Sequence, residues 1–371
     1  MRAEMGGGKF LRGGKFLRGG KRPRLSTRQL VLLILAGVQL ILAGLCTLGL
    51  HRVRHTLITQ SAAEAWRGES EMRFAQLSVF LPNDDLATED DIRTFRQTLD
   101  SSLVTASLEA PEGGSLYDDA YSGTASLTVE NGKKSVSVKT LGVGGDFFLF
   151  HPLRLLSGSY LTANDFMRDR VVLDENLAWA LFGSSDVTGL SVTINGLQYP
   201  IAGVVAREDD FATKKAYTDD VGMFMCYEAM NAISETKLSC YELVAPNMVS
   251  GFAYGLLQEK FKPDGGVIVE NSKRFSTFSL IDILLDFGTR SMNEKGVLYP
   301  YWENAARMCE DYAALYLLGL VLFLIYPIVL AIVWLVKFLR RTAERVGEEV
   351  AETVEQKIEE NKEKHYTRTG I

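Results

Sequence analysis

Two long apolar runs flank the central part of the chain. Residues 30–50 contain one strongly polar side chain, Gln39, and residues 312–336 carry no charged side chain. A bilayer core of about 30 Å needs about 20 apolar residues at the rise of an α-helix, so both runs are long enough to cross it. We predict transmembrane helices at 30–50 and 312–336, with a folded segment at 51–311 between them.

The first run could instead be a cleaved signal peptide. Its apolar stretch is longer than the hydrophobic region of a signal peptide, and the sequence His51-Arg52-Val53-Arg54-His55 follows it where a cleavage site would need small residues. We therefore interpret residues 30–50 as an uncleaved anchor.

Between the two runs, apolar positions recur with the periods of both strands and helices. The alternation at 74–80 predicts a strand, and Thr88 predicts the start of an amphipathic helix with apolar residues three or four apart: Ile92, Phe95, Leu99 and Leu103. Further strands are predicted at 241–244 and 267–269, and further helices at 56–71 (a stalk continuing the first span), 249–261, 278–285 and 299–314. Because strands and helices interleave irregularly, we predict an α+β domain.

Two Asn-Gly pairs predict β-hairpins. Asn131-Gly132 separates runs at 126–130 and 133–140, and Asn195-Gly196 separates runs at 190–194 and 197–205. A type I′ turn needs a positive φ at both of its central residues, and Asn and Gly are the residues that tolerate it best.

The segment before the second hairpin predicts a strand followed by a short helix. Residues 170–173 form the expected strand, and Asp174 can cap a helix at 175–182. Gly183 can end that helix in the left-handed conformation.

Charge is distributed unevenly along the chain. Residues 1–29 carry a net charge of +8, residues 337–371 are neutral overall, and the whole chain is −6, so residues 30–336 carry −14. Lys and Arg concentrate beside cytoplasmic membrane surfaces, so both termini are predicted in the cytoplasm of a two-pass protein of the cell membrane, with 51–311 outside. A domain this acidic repels nucleic acid, which we exclude as a partner.

The two tails each admit two interpretations. The repeat GGKFLR at 7–18, extended by GGKR, is either a flexible Gly-rich tail or a basic, aromatic segment lying on anionic lipid. The charged segment 337–371 predicts a helix with a narrow apolar stripe at Val346, Val350, Val354 and Ile358. That helix is either a docking site for a cytoplasmic partner or a solvated extension.

Pro327, inside the second span, predicts either a hinge or a static kink.

No constellation of residues points to catalysis. His151 is the one histidine well inside 51–311, so a multi-His metal site is excluded there, and no serine lies in a G-x-S-x-G motif. The acid pairs Asp84-Asp85, Asp90-Asp91, Asp118-Asp119, Asp209-Asp210 and Asp219-Asp220 match no calcium-loop pattern. We interpret them as solvated loop acids and His151 as a surface or core residue.

Two further kinds of motif are candidates for nucleotide- or thiol-based sites, and neither has the sequence context that such a site requires. Gly142–Gly145 precedes the apolar residues 147–150 rather than a helix, so it does not predict a phosphate cradle, and no P-loop motif is present. We expect no enzyme activity, cofactor or metal. Cys226 and Cys240 could form a disulfide, but free buried thiols are the preferred interpretation.

The sequence GDFFLFHPLRLLSGSYLTANDF at 145–166, followed by DRVVLDENLAWALFGSSDVTGLSVTINGLQYPIAGVV at 169–205, resembles the MacB-type periplasmic core domain. That domain belongs to permease subunits of the FtsX-like ABC transporter class. The resemblance covers roughly residues 30 to 300 and depends on the order and spacing of small motifs. The matching positions include Phe147, Phe148, Gly158, Asp165, Val171–Leu173, Leu177, Ala178, Leu181, Phe182, Gly183, Gly189 and Gly203–Val205.

The resemblance implies a two-lobed outer domain. A porter-like α+β lobe would be formed by 72–150 and 228–300, and a β-rich lobe would be inserted at 151–227. It also implies a mechanical role, in which a separate cytoplasmic ATPase dimer drives movement that helices pass to the outer domain. Permeases of this class usually have four spans, whereas only two are predicted here, so we expect an incomplete permease core.

The leading hypothesis is a membrane-anchored permease-type subunit or accessory protein of a MacB/FtsX-like ABC system. Its expected partners are a cytoplasmic ATPase or a four-span permease, the lipid bilayer, and an unknown extracytoplasmic ligand or protein. The alternative is a stand-alone membrane-anchored binding or scaffold protein without transport activity. A membrane-anchored enzyme is a third hypothesis, and it lacks a catalytic constellation.

Overall fold

The structure is a computed structural model that describes residues 26–83, 87–108, 110, 114–163, 165, 168–217, 221–261, 265–287, 293–294 and 296–369. The chain divides into two compact units. The helical unit comprises Met1–Ala43 with Leu322–Ile371, and the core unit comprises Gly44–Val321. The N-terminal GGKFLR repeat and the acid pairs Asp84-Asp85 and Asp219-Asp220 lie outside the described residues.

The helices include two that are long and apolar enough to cross a membrane, the first and the last, as the sequence predicts. Their bounds are α1 Thr27–Arg54, α2 Ala62–Arg67, α3 Glu89–Thr105, α4 Phe147–Phe150, α5 Glu175–Phe182, α6 Thr213–Ala216, α7 Tyr227–Ser234, α8 Phe252–Lys260, α9 Thr277–Leu285 and α10 Tyr301–Thr369. Single 3-10 turns occupy Ile58–Gln60 and Asn271–Lys273.

The strands are mostly in the core unit's single large sheet. Their bounds are β1 Phe74–Phe80, β2 Asp118–Asn131, β3 Lys134–Gly145, β4 Leu155–Gly158, β5 Val171–Asp174, β6 Ser191–Ile194, β7 Leu197–Val205, β8 Val221–Cys226, β9 Leu238–Pro246, β10 Val267–Glu270, β11 Asn293–Glu294 and β12 Val297–Leu298. The large sheet has the order β10-β1-β9-β2-β3-β8-β5-β7-β4, and β6 pairs with both β2 and β7. The predicted α+β class is therefore confirmed.

The pairing of β6 with two strands closes part of the sheet on itself. β2, β3, β8, β5, β7 and β6 are hydrogen-bonded in a ring, with parallel pairs at β3–β8 and β5–β7. Closure removes the unpaired edges of these strands and encloses a core. That core contains Leu127, Val129, Leu173, Ile194 and Met223, all buried.

The open part of the sheet has helices on one face. β1 and β9 pair antiparallel from Phe74↔Pro246 to Phe80↔Cys240, and β9 also pairs with the first half of β2. On one face Leu77 and Tyr241 pack with α3 and α8 in an apolar cluster. Successive strand residues point to opposite faces, so Ser78, Phe80 and Glu242 face the other way, toward the start of α10.

Most of the predicted elements are present. The strand at 74–80 is confirmed, and α3 begins at a capping box in which the Thr88 backbone N–H donates to Asp91 Oδ2 at 2.8 Å. The helix predicted at 175–182 is confirmed as α5, since the Leu177 N–H donates to Asp174 Oδ1 at 2.6 Å. Gly183 ends α5 with a φ of 77°, as predicted.

The two predicted hairpins differ in their turns. Asn195 and Gly196 have φ values of 50° and 80° and form the predicted type I′ turn. In the first hairpin the prediction is wrong by one residue, because Asn131 pairs with Lys134 and the turn residues are Gly132 and Lys133. Gly132 has a φ of 60°, which fits a type II′ turn, where only the first central residue requires positive φ.

Three further predictions are wrong. Asp118 and Asp119 are not solvated loop acids, because they begin β2 and Asp119 is buried. The first span does not continue as a stalk helix through 56–71, because α1 ends at Arg54 and a 3-10 turn and the short α2 follow. Gly142–Gly145 is the end of β3, and a four-residue helix does follow it at α4. The helix predicted at 337–371 is confirmed as the end of α10, which is helical through Pro327.

The four cysteine thiols are free, so Cys226 and Cys240 are not paired in this structure. Cys240 and Cys309 are buried, whereas Cys46 and Cys226 are partly exposed.

Gly158 and Gly203 allow two strands to approach each other closely. They are paired across β4 and β7, and an ideal Cβ at Gly158 would lie 2.1 Å from the Ala202 carbonyl oxygen. Gly158 also has a φ of 76°. Gly183 has a nearly identical φ of 77°, but a Cβ there would meet nothing within 4 Å.

This contrast predicts different costs for the same substitution. Gly183→Ala should lower the free energy of unfolding by about 1–2 kcal/mol, the cost of left-handed backbone for a residue with a Cβ. Gly158→Ala should lose about 1–3 kcal/mol more, because the backbone must also move to relieve the clash. Denaturant unfolding of the purified chain in detergent would measure both, and equal losses would contradict the close approach of β4 and β7.

Candidate functional site

A buried network of charged and polar side chains joins the sheet to the beginning of α10. Its centre is Arg274, directly after the 3-10 turn that follows β10. The Arg274 guanidinium donates to Glu303 Oε2 at 2.5 Å through Nη2 and to Glu310 Oε1 at 2.9 Å through Nη1. All three side chains are buried.

The network continues from Arg274 into the sheet. Arg274 Nη2 also donates to Asn271 Oδ1 at 2.8 Å, and Asn271 Nδ2 donates to Ser78 Oγ on β1 at 2.8 Å. Ser78 Oγ in turn donates to Glu242 Oε1 on β9 at 3.2 Å. Two central strands are thus connected to α10 through an unbroken series of hydrogen bonds.

His151 lies at the far end of the network. Its Nε2 is 2.5 Å from Glu242 Oε2, and its ring stacks on Phe147 with a centroid distance of 4.3 Å. The Trp302 ring of α10 lies 4.5 Å from the His151 ring. The structure therefore places His151 in the core, bonded to a buried carboxylate.

Burial sets the electrostatics of this network. Burial raises the pKa of the Glu303 carboxyl above its ordinary value, although the charge and hydrogen bond of Arg274 act in the opposite direction. Burial alone would lower the pKa of Arg274, but Glu303 and Glu310 outweigh it and raise the pKa. Arg274 therefore remains a cation, and its loss would remove the positive charge that two buried carboxylates share.

Sequence reasoning missed this network, although a signal was present. Glu303 and Glu310 are seven residues apart, which brings both carboxylates to one side of a helix. That side also carries Ala306, Cys309 and Ala313, all buried. Two acids on the small-residue, inward face of a helix indicate a buried cationic partner, but the sequence does not reveal that Arg274 supplies it.

A cleft of about 280 Å³ lies beside α3. α3, the end of β3, the segment between β4 and β5, and the start of α7 provide its walls. Four arginines, Arg93, Arg96, Arg168 and Arg170, line it together with Glu89, Asp165 and Glu228. Polar and ionic groups of both signs make it suited to a polar or peptide-like ligand rather than an apolar one.

Several of the charged groups in the cleft are held in fixed positions. Arg96 binds Asp119 with two hydrogen bonds, Nε to Oδ2 at 2.7 Å and Nη2 to Oδ1 at 2.6 Å, and this pairing raises the pKa of Arg96. Tyr121 donates to Glu89 Oε1 at 2.5 Å. Arg168 forms an ion pair with Glu228, which bridges the β4–β5 segment to α7.

The residues of the predicted family motif are dispersed through the core unit. Leu181 is buried in the core of the closed ring of strands, Phe182 packs at its edge, and Gly189 has a φ of 83° before β6. Asp165 lies in the cleft wall, where its Oδ2 accepts from the Thr162 N–H at 3.1 Å. Gly158 and Gly203 face each other as described above. The residues of the family motif as a whole are therefore not brought together in one site.

The predicted docking stripe lies in the helical unit. Val346, Val350, Val354 and Ile358 all belong to α10 and are exposed. Among the described residues, no group of three or more His, Cys, Asp or Glu side chains could hold a metal ion.

Removal of Arg274 should be far more costly than removal of the neighbouring lysine. Arg274→Met should lower the free energy of unfolding by about 3–5 kcal/mol, because the buried carboxylates of Glu303 and Glu310 would lose the cation that they share. Lys273→Met breaks a partly exposed pair with Glu270 and should cost no more than about 1 kcal/mol. Chemical denaturation in detergent would compare the two.

A second variant tests the cause of that loss. Addition of Glu303→Gln and Glu310→Gln to Arg274→Met should recover much of the stability, since the buried negative charges are gone. A triple variant no more stable than Arg274→Met would contradict the electrostatic explanation.

The carboxyl group of Asp118, at the start of β2, predicts that the stability of the folded state depends on pH. Burial, together with nearby Asp146, raises the pKa of Asp118 to about 7. The folded state therefore binds a proton that the unfolded state releases near pH 4, so this group lowers stability as pH rises from about 4 to about 7. Asp118→Asn should be more stable than the parent at pH 8 and should lose that advantage at pH 4, as measured by urea unfolding. Parallel pH profiles for the two proteins would contradict the shift.

Relatives of the chain are found among ABC transporter proteins. The Macrolide export ATP-binding/permease protein MacB of Chromobacterium violaceum is 30% identical over 149 residues, which cover 38% of this chain and 22% of that protein. The chain thus matches about a fifth of the length of this curated relative.

Two solved structures of extracytoplasmic domains match part of the chain at low sequence identity and low TM-score. The periplasmic region of MacB from Actinobacillus actinomycetemcomitans has 18% identity and a TM-score of 0.38, covering 58% of this chain and 94% of its own. The extracellular domain of the noncanonic ABC-type transporter YknZ from Gram-positive bacteria has 15% identity and a TM-score of 0.36, covering 53% of this chain and 100% of its own.

The sequence profile described as the MacB-like periplasmic core domain matches residues 58–244, which is half of this chain and includes β1, the closed ring of strands and most of β9. The chain, which has two candidate membrane helices flanking this domain, therefore belongs to the MacB-like periplasmic core domain family.

Proposed function

We propose that this protein is a permease-type subunit or accessory protein of a MacB/FtsX-like ABC system. In this role residues 51–311 lie outside the cell membrane, both termini are cytoplasmic, and α10 connects the outer domain to a cytoplasmic ATPase or a partner permease. The observation that carries the proposal is the buried contact of Arg274 with Glu303 and Glu310 in a chain of this family.

The network suits a mechanical role because it is rigid. Arg274 is held by hydrogen bonds to Asn271, Glu303 and Glu310. Separation of its ion pairs would leave charged groups in the interior without their partners or expose the interior to water, which costs several kcal/mol. A displacement of the first turns of α10 is therefore transmitted to β1 and β9 before the contact breaks. No covalent chemistry is required of the side chains in the network.

The division of the outer domain into two lobes is part of the proposal. One lobe is formed by 72–150 and 228–300, and the other by 151–227. Two separate apolar clusters support it: one combines β1, β9, α3 and α8, and the other fills the closed ring of strands. The β2–β3 hairpin contributes to both lobes.

The cleft supplies a place where an extracytoplasmic ligand or protein can bind. It lies where α3 of the first lobe meets the β4–β5 segment of the second, and Arg168–Glu228 joins its two sides. A change in the angle between the lobes would change the width of this cleft, which links binding there to movement of α10.

Co-purification tests the coupling. The full chain, solubilised in mild detergent, should bring down a protein that mass spectrometry identifies as an ABC-type ATPase. Val354→Glu places a charge in the exposed stripe of α10 and should reduce the recovered ATPase at least severalfold. Gln356→Glu, which adds the same charge on the opposite side of the helix, should leave the recovery unchanged.

Two results would contradict this function. One is the absence of any ATPase in the purified material, which favours a stand-alone binding or scaffold protein. The other is unchanged recovery after deletion of residues 346–371, which would show that the stripe has no part in docking.

A further inference from the structure

α9 presents large apolar side chains on two opposite sides. Leu280, Ile283 and Leu284 pack inward against the apolar cluster between the sheet and α10. On the outward side Phe278 and Leu285 are 81% and 79% exposed, and Ile281 is also exposed. These three are spaced by three and four residues, so they form one stripe along the helix.

The start of α9 lies beside the point on α10 where the second candidate span begins. Arg274, three residues before α9, binds Glu310, and the apolar run of α10 starts two residues later at Tyr312. The backbone between Arg274 and α9 is too short to carry α9 far from this level.

The end of the first candidate span is equally close. Phe275 and Ser276 line the same cavity as residues 54–58, which include the last residue of α1 and the segment that follows it. The beginning of α9 is therefore near the outer ends of both apolar helices of the core unit.

Other exposed apolar groups occur at this level. The half-exposed Phe211 ring packs edge-on against the Tyr312 ring with a centroid distance of 5.6 Å. Within the adjoining parts of the two candidate spans, Leu48 on α1 and Leu315 on α10 are exposed as well. The stripe on α9 thus begins near the outer ends of the two spans, and aromatic side chains are favoured at such a border.

We propose that α9 is an interfacial helix, with Phe278, Ile281 and Leu285 inserted into the outer leaflet at the boundary between headgroups and acyl chains. Transfer of each of these side chains from water to an apolar environment is favourable. Asp282 and Asp286, both exposed, lie along one edge of the stripe and face the aqueous side of the interface.

A lipid surface explains the stripe better than a protein partner. A lipid interface needs only an apolar face beside the spans, at the correct depth, and α9 has both. The contact would also fix the tilt of the core unit relative to the bilayer, because Arg274 joins the start of α9 to α10. The inference does not depend on an ATPase partner.

Spin-label accessibility tests the proposal on the full chain in nanodiscs of phosphatidylcholine and phosphatidylglycerol. Cysteines are introduced one at a time at Phe278 and Leu285, in a background where the partly exposed Cys46 and Cys226 are replaced by alanine. Val104→Cys is the matched control, because Val104 is exposed and apolar but lies at the end of α3 on the opposite face of the sheet.

Labels at 278 and 285 should be more accessible to oxygen, which concentrates in the bilayer, than to a water-soluble nickel chelate. The label at 104 should show the reverse. Water-like accessibility at 278 and 285 overturns the proposal, whatever the co-purification gives.

Spin–spin broadening at 278 that disappears on dilution with unlabelled chain would place a second copy of the chain on the stripe and would also overturn the proposal. Low accessibility of the labels at 278 and 285 to both oxygen and the nickel chelate would indicate a protein partner and would also overturn the proposal.

Discussion

The guanidinium of Arg274 lies in the interior between two glutamates of α10, and the arrangement of the core unit depends on this contact. A buried ion pair adds little net stability compared with apolar residues of the same size, but it strongly disfavours any arrangement that separates its members. Here it determines how α10 is rotated and how far it extends along the sheet, since only one register brings Glu303 and Glu310 together on Arg274. Around it, Asn271, Ser78 and Glu242 satisfy the remaining polar groups.

This constraint organises the two faces of the open sheet. The face toward α3 and α8 is mostly apolar, with Leu77 and Tyr241 at its centre, and its ion pair between Arg96 and Asp119 is separate from the network of Arg274. The opposite face combines apolar residues such as Phe80 and Val244 with Ser78 and Glu242. One face thus supplies ordinary hydrophobic stability, while the other specifies the position of the helix that leads to the membrane.

Local elements of this fold can be predicted because short-range signals determine them. Asp174 and Gly183 bound α5, Thr88 and Asp91 start α3, and Asn195-Gly196 makes a type I′ turn, all through contacts within a few residues. The first hairpin turn was misplaced by one residue, because the register of β2 and β3 is set along twelve paired positions rather than by Asn131. The stalk helix is absent because Gln76 binds Thr59 and Ala62, which holds residues 59–62 against β1.

The candidate sites could not be predicted, because they are assembled from distant parts of the chain. Ser78 and Asn271, or His151 and Glu242, have no sequence pattern that relates them, and His151 alone looked like an isolated residue. The resemblance located the family through Gly158, Gly203 and their neighbours, but these residues maintain the fold and do not form the network. Pairing across the sheet was the missing information.

The pairing of β1 also has a consequence for the order of folding. β1 emerges early in synthesis, yet its two neighbours, β9 and β10, lie more than 150 residues further along the chain. Contacts of such separation form slowly, because a long loop must close first. While the segment is being exported, β1 remains an unpaired edge with an apolar face, exposed to aggregation or to a chaperone. In an exported domain, completion of the sheet must therefore wait until β10 has been translocated.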